Sequence, residues 1–182
     1  ISYGSENLQD LIICVYSQDL ESDTKIQLHS YHFLGKLPNN IRFVKEVWNS
    51  LIDKIMTTYH PLHIHIFSDG CGRHFKITEH MVMWSGFATK YAVDFAYNFF
   101  ASYHGHSVCD AIASNSKRCI NWFQLNNEML ITEAESINDL ISRQERTECI
   151  ILRDITEEAE SEDIETINKI QSCHIPHLQF LW

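Results

Sequence analysis

The hydrophobic residues change period several times along the chain, and each period predicts a type of element. Residues 11–16 form a short continuous apolar run, which predicts a buried strand. Residues 25–34 alternate less regularly and predict a second strand that pairs with the first as a hairpin. Apolar residues then repeat at helical spacing over residues 41–59, between a start signal at residues 38–40 and Pro61.

Strands and helices alternate in the next part of the chain. Residues 63–68 predict a strand that stops at the glycine-rich loop of residues 69–72. Residues 78–90 predict a helix, and residues 95–103 predict an aromatic-rich strand. The helix that follows covers residues 107–123, and its expected inner face consists of Val108, Ile112, Cys119, Ile120 and Phe123.

The last third of the chain carries weaker signals. Thr132 and Glu135 form a capping-box pattern before a short helix. Residues 149–152 predict a strand, and an apolar piece at residues 175–182 ends the chain. Because strands alternate with helices after an initial hairpin, the sequence predicts an α/β fold in which a mixed sheet is flanked by helices.

Composition and charge limit the classes of function. The chain has 182 residues, of which 45% are apolar, and this suits one core over residues 1–126 with an extension over residues 127–182 that packs on it. No apolar run approaches the roughly 20 residues of a membrane helix, so we expect no membrane partner. The formal net charge of −10 means that any binding to nucleic acid must be local, metal-mediated or assisted by other segments.

The six cysteines are scattered, and no two of them form a Cys-x-x-Cys pair. This distribution favours reduced thiols in a cytosolic or nuclear protein over a disulfide framework.

Two aspartates are candidates for metal-dependent chemistry. Asp69 follows a predicted strand at its carboxyl end, where ligands bind in open α/β sheets, and Asp110 lies near the start of a later helix. Two such carboxylates could converge on magnesium or manganese ions. Simpler interpretations exist: Asp69-Gly70 is a common turn dipeptide, and the spacing of Ser107 and Asp110 alone favours a helix cap.

Histidines and basic residues accompany these aspartates. His63 and His65 share one face of a strand, a geometry that can bind zinc, but no cysteine or carboxylate completes a known ligand spacing, so zinc is not the expected ion. His104 and His106 are expected to line the acidic cleft. Four basic residues could contact a nucleic-acid backbone or could be ordinary surface charges: Arg73, Lys76, Lys117 and Arg118.

Two segments resemble motifs of a known family. Residues 65–76, His-Ile-Phe-Ser-Asp-Gly-Cys-Gly-Arg-His-Phe-Lys, resemble its Phe-Ser-Asp-Gly motif, and residues 98–110, from Asn-Phe-Phe-Ala to Cys-Asp, resemble a second motif that ends in a Cys-Asp pair and is followed by Lys-Arg. Both occur, in this order, in eukaryotic transposase-like proteins of the Mutator-like and Kyakuja-Dileera-Zisupton-related groups. The resemblance spans residues 11–123.

The resemblance implies a ribonuclease-H-like core and a metal-dependent acidic triad. Asp69 would be its second acid and Asp110 its third, with Mg²⁺ or Mn²⁺ as the cofactor. The first strand, which would carry the first acid, is not identified in this chain, and Asp10 and Asp19 are weak substitutes. His106 stands where the family has lysine, and Ala111, Ala113 and Ser114 stand where it usually has glycines, which suggests a relaxed or repurposed site.

Two main hypotheses follow, and the sequence leaves open whether the protein is an active enzyme. In the first, a transposase-derived domain acts on DNA by metal-dependent phosphodiester hydrolysis and strand transfer. In the second, a domesticated and catalytically inactive domain docks protein partners in a nuclear complex. Both imply a nuclear location, and a zinc-stabilised interaction module is a third hypothesis.

Overall fold

The structure is a computed structural model that describes residues 2–3, 8–19, 22–36, 41–68, 78–100, 107–131, 133–152 and 178–181. The elements in chain order are β1 (Ser2–Tyr3), β2 (Leu8–Asp19), β3 (Ser22–Gly35), α1 (Ile41–Tyr59), β4 (His63–Ser68), α2 (Thr78–Tyr91), β5 (Asp94–Phe99), α3 (Val108–Asn127), α4 (Ala134–Ile141), β6 (Thr147–Ile151) and β7 (Leu178–Leu181). They divide between two compact units, one within residues 1–39 and 106–154 and the other within residues 40–105 and 155–182.

The first unit is built on a four-stranded mixed sheet with the strand order β1-β2-β3-β6. β2 and β3 form a long antiparallel hairpin in which Ile13 pairs with Tyr31, and a register irregularity lies between Gln18 and Asp19. β6 then pairs with β3 in parallel, from Ser30 to Leu34. Helices α3 and α4 supply the other layer, since α3 packs against β2 and α4 packs against β6.

The hydrophobic core of this first unit joins the hairpin to the two helices. Leu8 and Leu34 are fully buried against Ile137 and Ile141 of α4, and Ile120 of α3 completes the contact. Residues 137, 140 and 141 recur at the helical spacing that places side chains on one face. α4 is therefore a short helix whose stability comes from tertiary packing rather than from its length.

The second unit contains a three-stranded parallel sheet with the order β4-β5-β7. β4 and β5 are in register from His63 opposite Asp94 to Ser68 opposite Phe99. α1 packs against α2, and α2 packs against β5. The hydroxyl of Tyr91 and the ammonium of Lys90 donate hydrogen bonds to Asp53 of α1, and these two bonds lower the pKa of the Asp53 carboxyl.

Trp84 of α2 is the centre of the second unit's core. It is fully buried and lies edge-on to Trp48 of α1, with ring centroids 4.7 Å apart. Phe95 and Tyr97 of β5 contact the same indole at centroid distances of 5.1 and 5.8 Å. Large aromatic side chains of this kind contribute most of the apolar area that a small core buries.

Most of the predicted elements are confirmed, and so is the α/β class with a mixed sheet and flanking helices. The described strands nevertheless form two sheets. The outer edges of the β2–β3 hairpin pair with β1 and β6, while β4, β5 and β7 form the other sheet. β7 pairs in parallel with β5 at residues 95–98, so part of the predicted extension joins the second unit.

Three local predictions differ from the structure. The strand predicted over residues 95–103 ends at Phe99, and its last three positions lie outside the described residues. α3 continues to Asn127, where Glu128 adopts the left-handed conformation that ends a helix, and Val108 is exposed rather than on the inner face. α4 is capped at Glu133, one residue after Thr132, which is itself outside the described residues.

Candidate functional site

The carboxyl ends of β4 and β5 define one edge of the parallel sheet in the second unit. Ser68 is the last residue of β4 and pairs with Phe99, the last residue of β5, so both strands end at the same level. Asp69 is the next residue in the chain after Ser68. Ligands of open α/β sheets bind at this kind of edge, which is where the sequence predicts the acidic cleft.

Hydrogen bonds fix the end of β4 in place. The Tyr97 hydroxyl donates to Ser68 Oγ at 3.1 Å, and the backbone N–H of Phe100 donates to the Ser68 carbonyl at 2.9 Å. The amide of Asn98 donates to the carbonyls of Ile66 and Ala96, each at 3.2 Å. The residue that precedes Asp69 is therefore held by side chains of the neighbouring strand as well as by the strand ladder.

Five predicted site residues lie outside the described residues. Asp69, Arg73 and Lys76 belong to the segment after β4, and His104 and His106 belong to the segment after β5. Their roles as metal ligand, DNA contacts and cleft-lining residues stay predictions.

Asp110 is described, and it forms a capping box at the start of α3. Its Oδ2 accepts a hydrogen bond from the backbone N–H of Ser107 at 2.7 Å and lies 3.2 Å from the Ser107 hydroxyl. The capping interpretation of this residue is therefore confirmed. The side chain is also exposed, and its role as a metal ligand stays a prediction.

Lys117 and Arg118 lie on the exposed side of α3, two turns after Asp110. Lys117 is seven positions after Asp110, so both project from one helix face about 10 Å apart along the axis. The guanidinium of Arg118 donates to Asn115 Oδ1 at 3.4 Å. Both cations are accessible to a phosphate backbone, and contact with DNA stays a prediction for them.

A buried polar chain in the first unit was not predicted from the sequence. His32 Nδ1 lies 3.0 Å from Asp10 Oδ2, and His32 Nε2 lies 3.5 Å from the hydroxyl of Ser116 on α3. The residue types match those of a Ser-His-Asp triad, but all three side chains are buried, so no substrate can reach the serine. Asp10 lies within β2 in this network, which makes it a structural residue of the first unit.

Asp10 and His32 form the buried pair because of strand register. Asp10 is opposite Leu34 and His32 is opposite Ile12, which makes the two residues diagonal neighbours on one sheet face. The sequence does show a charged residue, Asp10, directly before the apolar run of β2. It does not show which residue contacts Asp10, because that depends on the strand register, which sequence spacing does not specify.

The described residues include no cluster of three or more His, Cys, Asp or Glu side chains that could hold a metal ion. His63 and His65 are both exposed on β4, and His63 Nδ1 lies 3.2 Å from the Asp94 carboxylate of β5. This exposed contact joins the first residues of the two paired strands.

The second unit thus has a hydrogen-bonded strand edge, and the first unit has a capped helix that carries an exposed acid and two cations. The chain belongs to a family described as a domain of unknown function, DUF8701, whose sequence profile matches residues 11–179. No curated protein and no solved structure matches it. Across the ranges that the structure describes, no helix combines the length and hydrophobicity that a transmembrane span needs.

Proposed function

We propose that this chain is a transposase-derived domain of the ribonuclease-H-like type, which acts on DNA in the nucleus by metal-dependent phosphodiester hydrolysis and strand transfer. The observation that carries the proposal is the parallel, in-register pairing of β4 with β5. Both motifs that resemble the transposase family run through the carboxyl ends of these two strands. An α/β crevice of this type is where catalytic carboxylates are found.

The order of the elements also supports the proposal. From β2 onward the chain runs hairpin, helix, strand, helix, strand and helix. This is the order that the resemblance implies from the second strand of a ribonuclease-H-like core onward. Asp69 then follows the strand after the first helix, and Asp110 lies in the first turn of the helix after β5.

The chemistry of the donor groups fits Mg²⁺ or Mn²⁺. Both ions prefer carboxylate oxygens, and a pair of them activates a nucleophile and stabilises the leaving oxygen of a phosphodiester. Asp110 is an exposed carboxylate, but its Oδ2 already accepts the helix-cap hydrogen bond. In this proposal Asp110 would be one of the residues that hold the metal, and Ser107 would orient its carboxylate.

Lys117 and Arg118 have a positioning role in the proposed reaction. Their cationic groups share the exposed side of α3 with Asp110. Phosphate contacts of this kind fix the register and orientation of a duplex without reading its sequence. They would place the backbone near the first turn of α3.

A DNA cleavage and strand-transfer assay tests the proposal. The full chain is incubated with labelled duplex in Mg²⁺ or Mn²⁺, beside Asp69→Asn, Asp110→Asn and the control Asp139→Asn, an exposed aspartate of α4. We expect cleavage by the wild type and the control, with a loss of at least about 100-fold in both site variants, since each removes a charged ligand. Cleavage that survives both substitutions contradicts the assignment.

The second candidate function is a catalytically inactive domain that docks protein partners in a nuclear complex. The observation that favours it is the capping role of Asp110, which accounts for this residue without any metal. The net charge of −10 also suits a protein partner better than DNA. Calorimetric titration separates the two functions, because the docking domain should show no Mg²⁺ or Mn²⁺ binding that Asp69→Asn or Asp110→Asn weakens.

A further inference from the structure

The outer side of α3 carries large apolar side chains near the end of the helix. Trp122 is 66% exposed, and Leu125 is 80% exposed. Ile120 of the same helix is buried in the core of the first unit. Because Leu125 is five positions after Ile120, the two side chains lie on nearly opposite sides of a helix with about 3.6 residues per turn. Leu125 therefore occupies the solvent side, where an amphipathic helix normally carries polar residues.

The segment after α3 continues this apolar surface. Met129 and Leu130 are 50% and 69% exposed, and both line a shallow pocket together with Leu125. Trp122 is a neighbour of Leu125 on the helix surface, and we call these four residues the outer apolar face. Single exposed apolar residues are common on soluble proteins, whereas a contiguous group of large ones is typical of an interaction site.

Hydrogen bonds hold the end of this face in an ordered turn. The backbone N–H groups of Glu128 and Met129 both donate to the carbonyl of Gln124, the second at 3.3 Å. The side-chain amide of Gln124 donates to the carbonyl of Ile131 at 3.5 Å, and Ile131 is buried in the core. The chain thus returns to the core directly after Leu130. The exposed apolar residues belong to a bonded turn rather than to a frayed helix end.

Charged residues flank the outer apolar face at its two ends. Arg118 lies one helical turn before Trp122, and Glu128 lines the same pocket as Leu125 at the other end. Both charged residues are exposed. The face therefore runs from a cation through apolar residues to an acid. An antiparallel copy of such a face is complementary to it, because a half-turn rotation places cation opposite acid and apolar residues opposite each other.

We propose that the outer apolar face is the interface of a homodimer, in which α3 packs antiparallel to α3 of a second copy. Arg118 and Glu128 are ten positions apart, so the two-fold axis would pass midway between them. Trp122 and Leu125 would lie within about one turn of this axis. Arg118 of each copy would lie opposite Glu128 of the other, which gives two symmetric ion pairs at the rim and apolar contacts at the centre.

The charges favour a second copy over other occupants of the face. A basic peptide would be repelled by Arg118 and an acidic peptide by Glu128, whereas an antiparallel second copy complements both ends at once. Rim charges of this kind fix the partner and the register more than they add affinity. The net charge of −10 on each copy opposes association, but salt at physiological strength screens exposed charges beyond about 8 Å.

The expected dimer is weak. A single pair of helices buries less than the roughly 1,600 Å² of a standard interface, so we expect a dissociation constant on the order of 10 µM. A chain diluted well below this concentration is monomeric. Trp122 then contributes little to the free energy of unfolding, because dimerisation stabilises the fold only when the dimer is populated.

The dimer goes beyond the proposed function and does not depend on it, because the outer apolar face includes no residue proposed to bind metal or DNA. Arg118 at its rim is also a proposed phosphate contact, so a duplex would compete with the second copy for this guanidinium. The dimer is therefore tested without DNA and without divalent ions. Its failure would leave the proposed action on DNA untouched.

Sedimentation equilibrium of the full chain tests the dimer over about 1 to 200 µM, a range that brackets the expected dissociation constant. We expect the mass to rise from that of one chain to that of two. Leu125→Lys should weaken association at least about tenfold, because it places a charge at the centre of the interface. Leu62→Lys is the matched control, since Leu62 is 79% exposed and belongs to the second unit, and it should leave association unchanged.

Charge reversal tests the antiparallel arrangement. Arg118→Glu and Glu128→Arg should each weaken association at least about threefold, since each places like charges opposite one another. The double variant exchanges the two charges and should associate like the wild type. The proposal is overturned if the wild type stays monomeric at the highest concentration, if Leu62→Lys weakens association as much as Leu125→Lys, or if the double variant fails to recover. In the first case the face would be open to a different partner protein.

Discussion

Asp10 and His32 illustrate how burial limits what a polar residue can do. Both side chains have no solvent exposure, and they contact each other at 3.0 Å. Such a pair cannot act on a substrate, but it can select one pairing of β2 with β3, because a one-residue slip would send the two side chains to opposite sheet faces. The buried contact of Asp10 with His32, which resembles part of a catalytic triad, therefore favours one register of β2 with β3.

Removing one partner of this pair should destabilise the protein. We expect Asp10→Ala to lower the free energy of unfolding by about 3 kcal/mol, because the imidazole of His32 would stay buried without its acceptor. Urea denaturation of the full chain measures the loss. The control Asp139→Ala removes an exposed carboxylate and should change stability by less than about 0.5 kcal/mol. Similar losses in both variants would contradict the structural role of Asp10.

A second prediction at the scale of single residues concerns Trp84. No described residue accepts a hydrogen bond from its buried indole N–H. Trp84→Ala should cost about 4 kcal/mol because it opens a large cavity in the aromatic core. Trp84→Phe should cost clearly less, since the ring keeps most of the contacts and the unsatisfied donor is removed.

Thermal or urea unfolding distinguishes the two Trp84 variants. Trp122→Ala is the matched control, because this tryptophan of α3 is 66% exposed and should contribute less than about 0.5 kcal/mol. If Trp84→Phe were as destabilising as Trp84→Ala, the indole would have an essential hydrogen-bond partner after all.

At the scale of elements, the capping box of α3 predicts coupled effects of two substitutions. Ser107→Ala and Asp110→Ala should each cost about 1 kcal/mol, since each removes a partner of the first-turn N–H groups. The double variant should cost less than the sum of the two, because the residues serve the same cap. Urea denaturation of the four proteins gives this cycle, and strict additivity would show that the box contributes nothing as a unit.

The sequence predicted individual elements better than their partners. α1 begins and ends where expected, because its apolar spacing is regular and His60, at a positive φ of 44°, is followed by Pro61. Parallel pairing of β6 with β3 joins residues more than 110 positions apart, and hydrophobic period carries no information on such partners.

The candidate site was predictable only in part, for a related reason. Ser68 and Asp110 stand at element ends, and turn residues and capping patterns mark such ends in a sequence. The capping role of Asp110 followed from its spacing to Ser107 alone. Its metal role rests instead on the resemblance, because spacing says nothing about which distant carboxylate would share an ion.

At the scale of the whole molecule, the net charge of −10 predicts how DNA binding must behave if the proposed function holds. A duplex and an acidic chain repel each other, so affinity should depend on divalent ions and on a few local cations. We expect duplex binding in Mg²⁺ and at least about a tenfold loss of affinity in EDTA at equal ionic strength, measured by fluorescence anisotropy.

Substitution of Lys117 and Arg118 tests, in the same assay, whether DNA affinity depends on these two cations. If both contact phosphates, the Lys117→Ala and Arg118→Ala double variant should lower the slope of log affinity against log salt by about 2. Lys90→Ala is the control, because this exposed lysine of α2 is bonded to Asp53 and belongs to neither motif. An unchanged slope in the double variant, with binding intact, would place the DNA elsewhere. No binding in either buffer would instead favour the docking function, because an acidic surface without bound metal has no attraction for phosphate.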